Sequence, residues 1–239
     1  MLRFALEILI LLVCTIILIP VMVVLFVVRK SKPHEVAKVT QKILSVMAAM
    51  VLWATGSEIE VKGMENIPDD TPCLFIANHR SMFDIAVLYR YITQEMAFVA
   101  KKETKNIPLI AQFMILMNGM FLDRNDIRQG LQVILRAIEL IGEGACVCIF
   151  PEGTRNKKGR TEDLLPFHAG AFKVATKTGV PVVPVVLDGT REIFEDHIPL
   201  VKKSKVRMTV GEPIYIDRLE ENDRRHIADY ARDIMIKMV

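Results

Sequence analysis

Residues 73–92 read CLFIANHRSMFDIAVLYRYI and contain the local pattern from which the fold follows. A short, wholly apolar run ending at Ala77 predicts a buried β-strand, and the apolar residues of 85–92 predict a helix. The polar turn between them contains His79 and leads to Asp84 at the start of the helix. Because α/β sheets bind their ligands at the carboxyl ends of their strands, this turn is a candidate functional site.

The same alternation of strand and helix continues from Ser57 to the end of the chain. Apolar residues at i, i+3 and i+4 spacing from Ile127 to Ile141 predict an amphipathic helix. Seven short apolar runs predict strands at residues 58–62, 73–77, 97–100, 119–123, 145–150, 181–186 and 205–215. Residues 57–239 are therefore expected to form an α/β domain, a mixed sheet of about seven strands covered by helices.

Hydrophobic residues make up 51% of the chain, and many of them lie in its N-terminal segment. From Ala5 to Val28 the only charged side chain is Glu7. This stretch would be roughly 36 Å long as a helix, enough to cross a bilayer core. A second helical pattern runs from Pro33 to Trp53. Residues 1–56 are predicted to form a membrane-attaching helical hairpin, whose first helix either crosses the bilayer or lies within one leaflet. The alternative is a single spanning anchor followed by an independent surface helix.

The net charge of +3 is too small to indicate nucleic-acid binding, but the basic residues are unevenly distributed. Five of them follow the first apolar run: Arg29, Lys30, Lys32, Lys38 and Lys42. This bias predicts a protein bound to the cytoplasmic membrane, with residues 57–239 on the cytoplasmic side. The cysteines lack zinc-site spacing and are expected to be reduced, mostly buried thiols: Cys14, Cys73, Cys146 and Cys148.

His79 and Asp84 are spaced to act as a pair. From the first helical turn the Asp84 carboxylate can reach back to the imidazole and fix its tautomer, which leaves the other ring nitrogen free to take a hydroxyl proton. An exposed histidine beside an acidic helix cap would give the same sequence. Ser81 is interpreted as the helix N-cap rather than as a nucleophile.

Three further motifs accompany apolar strands. GMFLDR at residues 119–124 ends in a charged pair, FPEGTRN at 150–156 opens a basic loop, and VPVVPVV at 180–186 is a strand with two prolines. The planar guanidinium of arginine suits a phosphate monoester, and a carboxylate such as Glu152 can accept hydrogen bonds from glycerol hydroxyls. Taken singly, each motif is also explained by a solvated turn or by core packing.

In their order and spacing, the four motifs resemble those of the glycerolipid acyltransferase superfamily, most closely its 1-acylglycerol-3-phosphate O-acyltransferases. The resemblance covers roughly residues 57–216. It implies that His79 is a general base and Asp84 its orienting partner, and that Pro184 lies on the acyl-donor side. It also implies a set of acceptor-binding residues: Arg124, Glu152, Gly153 and Arg155.

Two details extend this resemblance. The stretch AKKE at residues 100–103 is similar to a basic stretch of the family, which makes Lys101 a further phosphate-binding candidate. Where many relatives have Phe-Lys-x-Gly after the third motif, this chain has His168 in place of the lysine.

The reaction that the resemblance implies is transfer of a fatty acyl group to the 2-hydroxyl of 1-acylglycerol-3-phosphate, which gives phosphatidic acid in phospholipid biosynthesis. The partners would be the membrane lipid acceptor, a phospholipid membrane, and a donor thioester on coenzyme A or acyl carrier protein. Neither a metal nor any other cofactor is expected. Backbone N–H groups at the helix start after Arg80 are expected to hold the developing oxyanion.

Other functions remain open on sequence alone. The chain could be a related acyltransferase for another lysophospholipid, or a catalytically silent lipid-binding protein on the same fold. A lipid hydrolase is disfavoured because no Gly-x-Ser-x-Gly motif is present and Ser81 is only two residues from His79. The apolar segment 108–117 is either part of an acyl channel or ordinary core.

Overall fold

The computed structural model describes residues 2–239, so Met1, which the predicted segment 1–56 includes, lies outside the described residues. The helices are α1 (Leu2–Val28), α2 (Pro33–Thr55), α3 (Phe83–Tyr91), α4 (Ile110–Leu116), α5 (Ile127–Gly142), α6 (Lys173–Thr178), α7 (Glu221–Arg225) and α8 (Ile227–Lys237). The strands are β1 (Glu58–Lys62), β2 (Leu74–Ala77), β3 (Met96–Lys101), β4 (Met120–Leu122), β5 (Cys146–Ile149), β6 (Val182–Asp188) and β7 (Lys205–Val210). The predicted hairpin helices and all seven predicted strands are present.

The strands form one mixed sheet in the order β1-β7-β6-β2-β5-β3-β4. Neighbouring strands are parallel except β6 and β7, which are antiparallel. The last strand was predicted over residues 205–215, but β7 ends at Val210. Pro213 has no N–H to donate, and beyond it only an isolated bridge joins Ile214 to Val182 in the described chain.

Each face of the sheet is covered by its own set of helices. Side chains of a strand alternate between faces, so Phe75 points into one apolar cluster with α2, α3 and α4, while Leu74 and Ile76 point into another with α5, α6 and α8. The central strands are therefore buried on both sides, which explains their uninterrupted apolar sequences. All four cysteines are free and buried, as expected.

Helices α1 and α2 form the predicted hairpin. Met22 and Leu25 of α1 pack with Met47 of α2 and with Phe113 and Leu116 of α4. The opposite side of α1 is apolar and uncovered: Ile16 and Ile17 are 61% and 62% exposed. Both helices are long and apolar enough to cross a membrane by length and composition. The exposed apolar surface of α1 indicates membrane association.

Helix α2 also packs against the sheet domain. Gln41 Nε2 donates a hydrogen bond to the Ile92 carbonyl oxygen at 2.8 Å, and His34 Nδ1 lies 3.0 Å from Glu95 Oε1. Leu52 is only 4% exposed and belongs to the same apolar cluster as Phe75. The change in composition near residue 56 therefore does not coincide with a gap in packing, because α2 shares a core with residues 57–239.

Candidate active site

Four parallel strands bring the predicted site residues to one edge of the sheet. In the spatial order β2, β5, β3 and β4, the residues at or just beyond the carboxyl ends are His79, Glu152, Lys101 and Arg124. Adjacent strands are about 4.8 Å apart, so this row of side chains extends over roughly 15 Å. The edge is the place where a parallel sheet binds its ligands.

At the centre of this edge, His79 and Asp84 form the expected pair. His79 Nδ1 lies 2.8 Å from Asp84 Oδ2, and Asp84 is fully buried. The carboxylate accepts further hydrogen bonds from the backbone N–H groups of Arg80 and Ser81 and from the hydroxyl of Thr190. Because a carboxylate only accepts, Nδ1 is the donor. Nε2 then has the lone pair, and it has no hydrogen-bond partner within residues 2–239.

The expectation that backbone N–H groups after Arg80 form an oxyanion site is wrong. The N–H groups of Arg80 and Ser81 donate to Asp84, that of Met82 donates to Glu195, and that of Phe83 donates to the Ser81 hydroxyl. All four donors are engaged inside the protein. Three of them hold the Asp84 and Glu195 carboxylates at the amino end of α3 and the fourth holds the Ser81 hydroxyl, so none of the four faces a substrate carbonyl.

Ser81 has no access to substrate. It is fully buried, and its hydroxyl donates to Glu195 Oε2 at 2.7 Å. The Ser81 Oγ also accepts a hydrogen bond from the Phe83 N–H at 3.0 Å. The second bond resembles that of a helix cap, although Met82 is the residue directly before α3. Ser81 therefore supports the start of the helix, and it is not placed as a nucleophile.

Glu152 supports the backbone of the turn that contains His79. It is 3% exposed; Oε1 accepts the N–H of His79 at 2.8 Å, and Oε2 accepts the N–H of Leu165 at 2.9 Å. Burial raises the pKa of the Glu152 carboxyl, while these two hydrogen bonds act in the opposite direction. Both oxygens are thus bonded to backbone, in contrast to the direct contact with a glycerol hydroxyl that the sequence led us to expect.

The side chains of Arg124 and His168 both lie next to Gly153. Its φ of +67° suits glycine, and a Cβ added there would lie 3.0 Å from the His168 ring and 3.5 Å from the Arg124 guanidinium carbon. Arg124 therefore crosses from the end of β4 to the loop after β5. His168, at the position of the family lysine, faces the same space and is a site residue that the sequence did not predict.

The remaining predicted cations lie at the surface of the edge. Arg155 is exposed, and its Nη1 lies 3.3 Å from Glu195 Oε1. Lys101 is also exposed. Its neighbour Lys102 forms an ion pair with Asp123 at 2.5 Å, and this hydrogen bond lowers the pKa of the Asp123 carboxyl. Residue 102 is thereby tied to the residue before Arg124.

Thr190 and Glu195 are contributors that the motifs did not reveal. Both lie on the loop after β6, and they bond to Asp84 and to Ser81, Met82 and Arg155. Since β6 is parallel to β2, its carboxyl end lies at the same edge, and strand order would have indicated this loop.

The fold and the site together define a class: an α/β protein with a hydrogen-bonded His–Asp pair and a row of cations at the carboxyl edge of a mostly parallel sheet. The sequence profile of the family described as Acyltransferase matches residues 58–188. These residues contain the sheet from β1 to β6, His79, Asp84 and the predicted cations of the edge. The chain belongs to this acyltransferase family.

Curated relatives agree with this assignment. The chain is 39% identical over 188 residues to the chloroplastic 1-acyl-sn-glycerol-3-phosphate acyltransferase BAT2 of Brassica napus, covering 74% of this chain and 54% of the relative. It is 31% identical over 186 residues to the 1-acyl-sn-glycerol-3-phosphate acyltransferase of Borreliella burgdorferi, covering 78% of this chain and 73% of the relative. The chain thus spans about half the length of the Brassica protein.

A solved structure shares the fold. The crystal structure of the 1-acyl-sn-glycerophosphate acyltransferase PlsC from Thermotoga maritima superposes with a TM-score of 0.76 at 22% sequence identity. The match covers 98% of this chain and 94% of that protein, so it includes the N-terminal helices as well as the sheet.

Proposed function

We propose that the chain transfers a fatty acyl group from an acyl thioester to the 2-hydroxyl of 1-acylglycerol-3-phosphate and so forms phosphatidic acid. The observation that carries this proposal is the His79–Asp84 pair at the edge that also holds Arg124 and Arg155, with Nε2 of the imidazole unpartnered among the described residues. The curated relatives, which are named 1-acyl-sn-glycerol-3-phosphate acyltransferases, support the same substrate.

The cations of the edge suit the acceptor. A phosphate monoester carries up to two negative charges, and Arg124 and Arg155 each present several N–H donors in a planar group. Lys101, at the end of β3, adds a third charge. Binding the phosphate beside Gly153 would bring the free glycerol hydroxyl toward His79 and supply the orientation on which direct transfer depends.

The reaction then proceeds in one displacement. Nε2 of His79 removes the proton of the glycerol hydroxyl as the oxygen attacks the thioester carbonyl. The carbon–sulfur bond breaks, the new ester forms, and the proton passes from His79 to the leaving thiolate. Asp84 stabilises the imidazolium formed in between, and Glu152 holds the backbone of His79 in place. No acyl-enzyme, metal or other cofactor is needed in this scheme.

We further propose that residues 1–56 attach the protein to the cytoplasmic membrane and that the sheet domain lies on the cytoplasmic side. The uncovered apolar side of α1 and the basic turn Arg29, Lys30 and Lys32 support this arrangement. The donor thioester is on coenzyme A or acyl carrier protein. Both the donor and the acceptor lipid bind at the carboxyl edge of the sheet.

One assay tests the proposal. Purified protein in mixed micelles is supplied with lysophosphatidate and an acyl thioester, and released thiol and phosphatidate are measured. Thiol release that depends on the acceptor, with matching phosphatidate, is the expected result. Release without acceptor would indicate a hydrolase, and no release with either donor would indicate a silent lipid-binding protein. Replacing lysophosphatidate by other lysophospholipids tests the choice of acceptor.

A further inference from the structure

Glu195 joins two parts of the site that come from different motifs. Its Oε2 accepts the Ser81 hydroxyl at 2.7 Å, and its Oε1 accepts the Met82 N–H at 2.8 Å. The same Oε1 lies 3.3 Å from Nη1 of Arg155. The Glu195 side chain is 11% exposed, against 43% for Arg155. A nearly buried carboxylate is thus fixed to the start of α3 on one side and holds an exposed arginine on the other.

The geometry leaves Arg155 free to bind an anion. A guanidinium has five N–H donors, and only Nη1 contacts Glu195, so the other edges of the planar group remain available for a phosphate. An unrestrained arginine at the surface would lose considerable rotamer freedom on binding. Contact with a carboxylate that is itself held by two hydrogen bonds confines Arg155 before the ligand arrives.

The loop that carries Glu195 is held from several directions. The neighbouring Phe194 stacks on Phe4 of α1, with ring centroids 5.9 Å apart and planes 4° from parallel. At the other end of the loop, the Thr190 hydroxyl donates to Asp84 Oδ1 at 2.6 Å. The loop is therefore fixed to the hairpin and to the orienting carboxylate of the His–Asp pair, and Glu195 has a rigid support.

We propose that Glu195 is a positioning residue for acceptor binding, which orients Arg155 toward the phosphate of the lysolipid and sets its distance from the amino end of α3, where Asp84 lies. This inference rests on the proposed function, because it assigns Arg155 to the acceptor. Glu195 itself does not touch the reacting atoms. Its loss should weaken binding of the acceptor and leave binding of the donor unchanged.

The test is a double-mutant cycle with Glu195→Ala, Arg155→Ala and the double variant, assayed with lysophosphatidate and an acyl thioester in mixed micelles. Glu195→Ala should raise the KM for lysophosphatidate about tenfold and leave the KM for the donor unchanged. In the Arg155→Ala background the same substitution should have no further effect on the acceptor KM. A merely structural role would lower kcat and the unfolding temperature in both backgrounds.

Two further variants keep the test decisive if Glu195→Ala folds poorly. Glu195→Gln retains one acceptor oxygen and should raise the acceptor KM less. Glu192→Gln on the same loop is the matched control, since Glu192 contacts Ser204 and not Arg155, and it should behave as wild type. An unchanged or lowered acceptor KM in both Glu195 variants, or additive effects in the cycle, would overturn the inference while wild-type transfer persists. Absence of acceptor-dependent transfer by the wild-type protein would instead refute the proposed function.

Discussion

The imidazole of His79 stacks on the ring of Phe150, with centroids 4.1 Å apart and planes 18° from parallel. The two residues follow neighbouring strands, β2 and β5, so the sheet itself brings them together. Phe150 in turn stacks on Phe98 in the apolar core, at 5.9 Å. The plane of the histidine ring is thus set by the core and its tautomer by Asp84, which leaves Nε2 as the ring nitrogen with a lone pair.

The first prediction concerns this pair. His79→Ala should reduce acyl transfer by at least about 10²- to 10⁴-fold, the usual contribution of a positioned general base. Folding should be little affected, because His79 is partly exposed and only its ring is removed. Steady-state rates and thermal unfolding of the purified variant provide the check. Retention of most wild-type activity would exclude His79 as the base.

Asp84→Asn should be more damaging than its small change in shape suggests. An amide has one acceptor oxygen, whereas Asp84 accepts from His79, Thr190 and two backbone N–H groups. Each buried donor left without a partner costs about 1 to 3 kcal/mol. We expect a large fall in kcat, an acceptor KM near that of wild type, and a lower unfolding temperature. A large rise in the acceptor KM with unchanged kcat would contradict the orienting role.

The sequence predicted the sheet and the central pair because these depend on local patterns. Buried strands have continuous apolar runs, and the spacing between His79 and Asp84 spans a single turn. The sequence did not predict how strands far apart in the chain would be ordered. Glu195 is 114 residues from Ser81, and its contact exists only because β6 lies beside β2. The contact of the Met82 N–H with Glu195 was missed for the same reason, whereas the N–H groups of Arg80, Ser81 and Phe83, also wrongly expected to be free, are bonded within residues 80–84.

The second prediction concerns phosphate recognition. Arg124→Ala and Arg155→Ala should each raise the KM for lysophosphatidate, because loss of a charge-assisted hydrogen bond costs about 1.5 to 3 kcal/mol. The matched control is Arg160→Ala, since Arg160 lies on the same loop as Arg155 but is 82% exposed and pairs with Glu162. Initial rates over a range of both substrates distinguish the sites: a change only in the donor KM would place these arginines in the donor site.

The third prediction uses the close approach at Gly153. Gly153→Ala places a Cβ 3.0 Å from the His168 ring, which must give way, and in van der Waals contact with Arg124 at 3.5 Å. Because this crowds the space beside Arg124, the acceptor KM should rise. Gly179→Ala is the control for backbone strain. Gly179 also has a positive φ, of +75°, but no atom within 4 Å would meet the added Cβ. If the two variants had equal acceptor KM values, the effect at Gly153 would come from backbone strain alone and not from crowding of His168 beside Arg124.

The last prediction concerns attachment to the membrane, where α1 and α2 have different roles. Helix α2 is buried against α3 and contributes Leu52 to the core of the sheet domain. Deletion of residues 1–56 should therefore destabilise the whole protein as well as detach it. Deletion of residues 1–31 removes α1 and much of the basic turn but keeps α2, and in mild detergent it should leave a folded sheet domain.

The shorter deletion separates attachment from chemistry. Without α1 the protein loses the apolar surface formed by residues such as Ile16 and Ile17, and also the attraction of the basic turn to anionic headgroups, about 1 kcal/mol per charge near the surface. It should no longer sediment with vesicles or use lysophosphatidate held in them. It should still acylate a short-chain, water-soluble lysophosphatidate, since His79, Asp84 and the cations of the edge are intact.

Deletion of residues 1–31 should also change the acceptor KM. Phe4 is removed with α1, so the loop of Phe194 and Glu195 loses its aromatic contact, and the acceptor KM should rise moderately even for the soluble substrate. A cysteine introduced at residue 2 distinguishes the two forms of the hairpin. Because Phe4 stacks on Phe194 of the sheet domain, residue 2 should be protected from labelling outside intact cells, as expected when α1 lies within one leaflet. Labelling from outside would show a full crossing, in which this contact is not made. If the truncated protein still bound vesicles and acylated membrane-held lysophosphatidate at the wild-type rate, attachment through α1 would have to be abandoned.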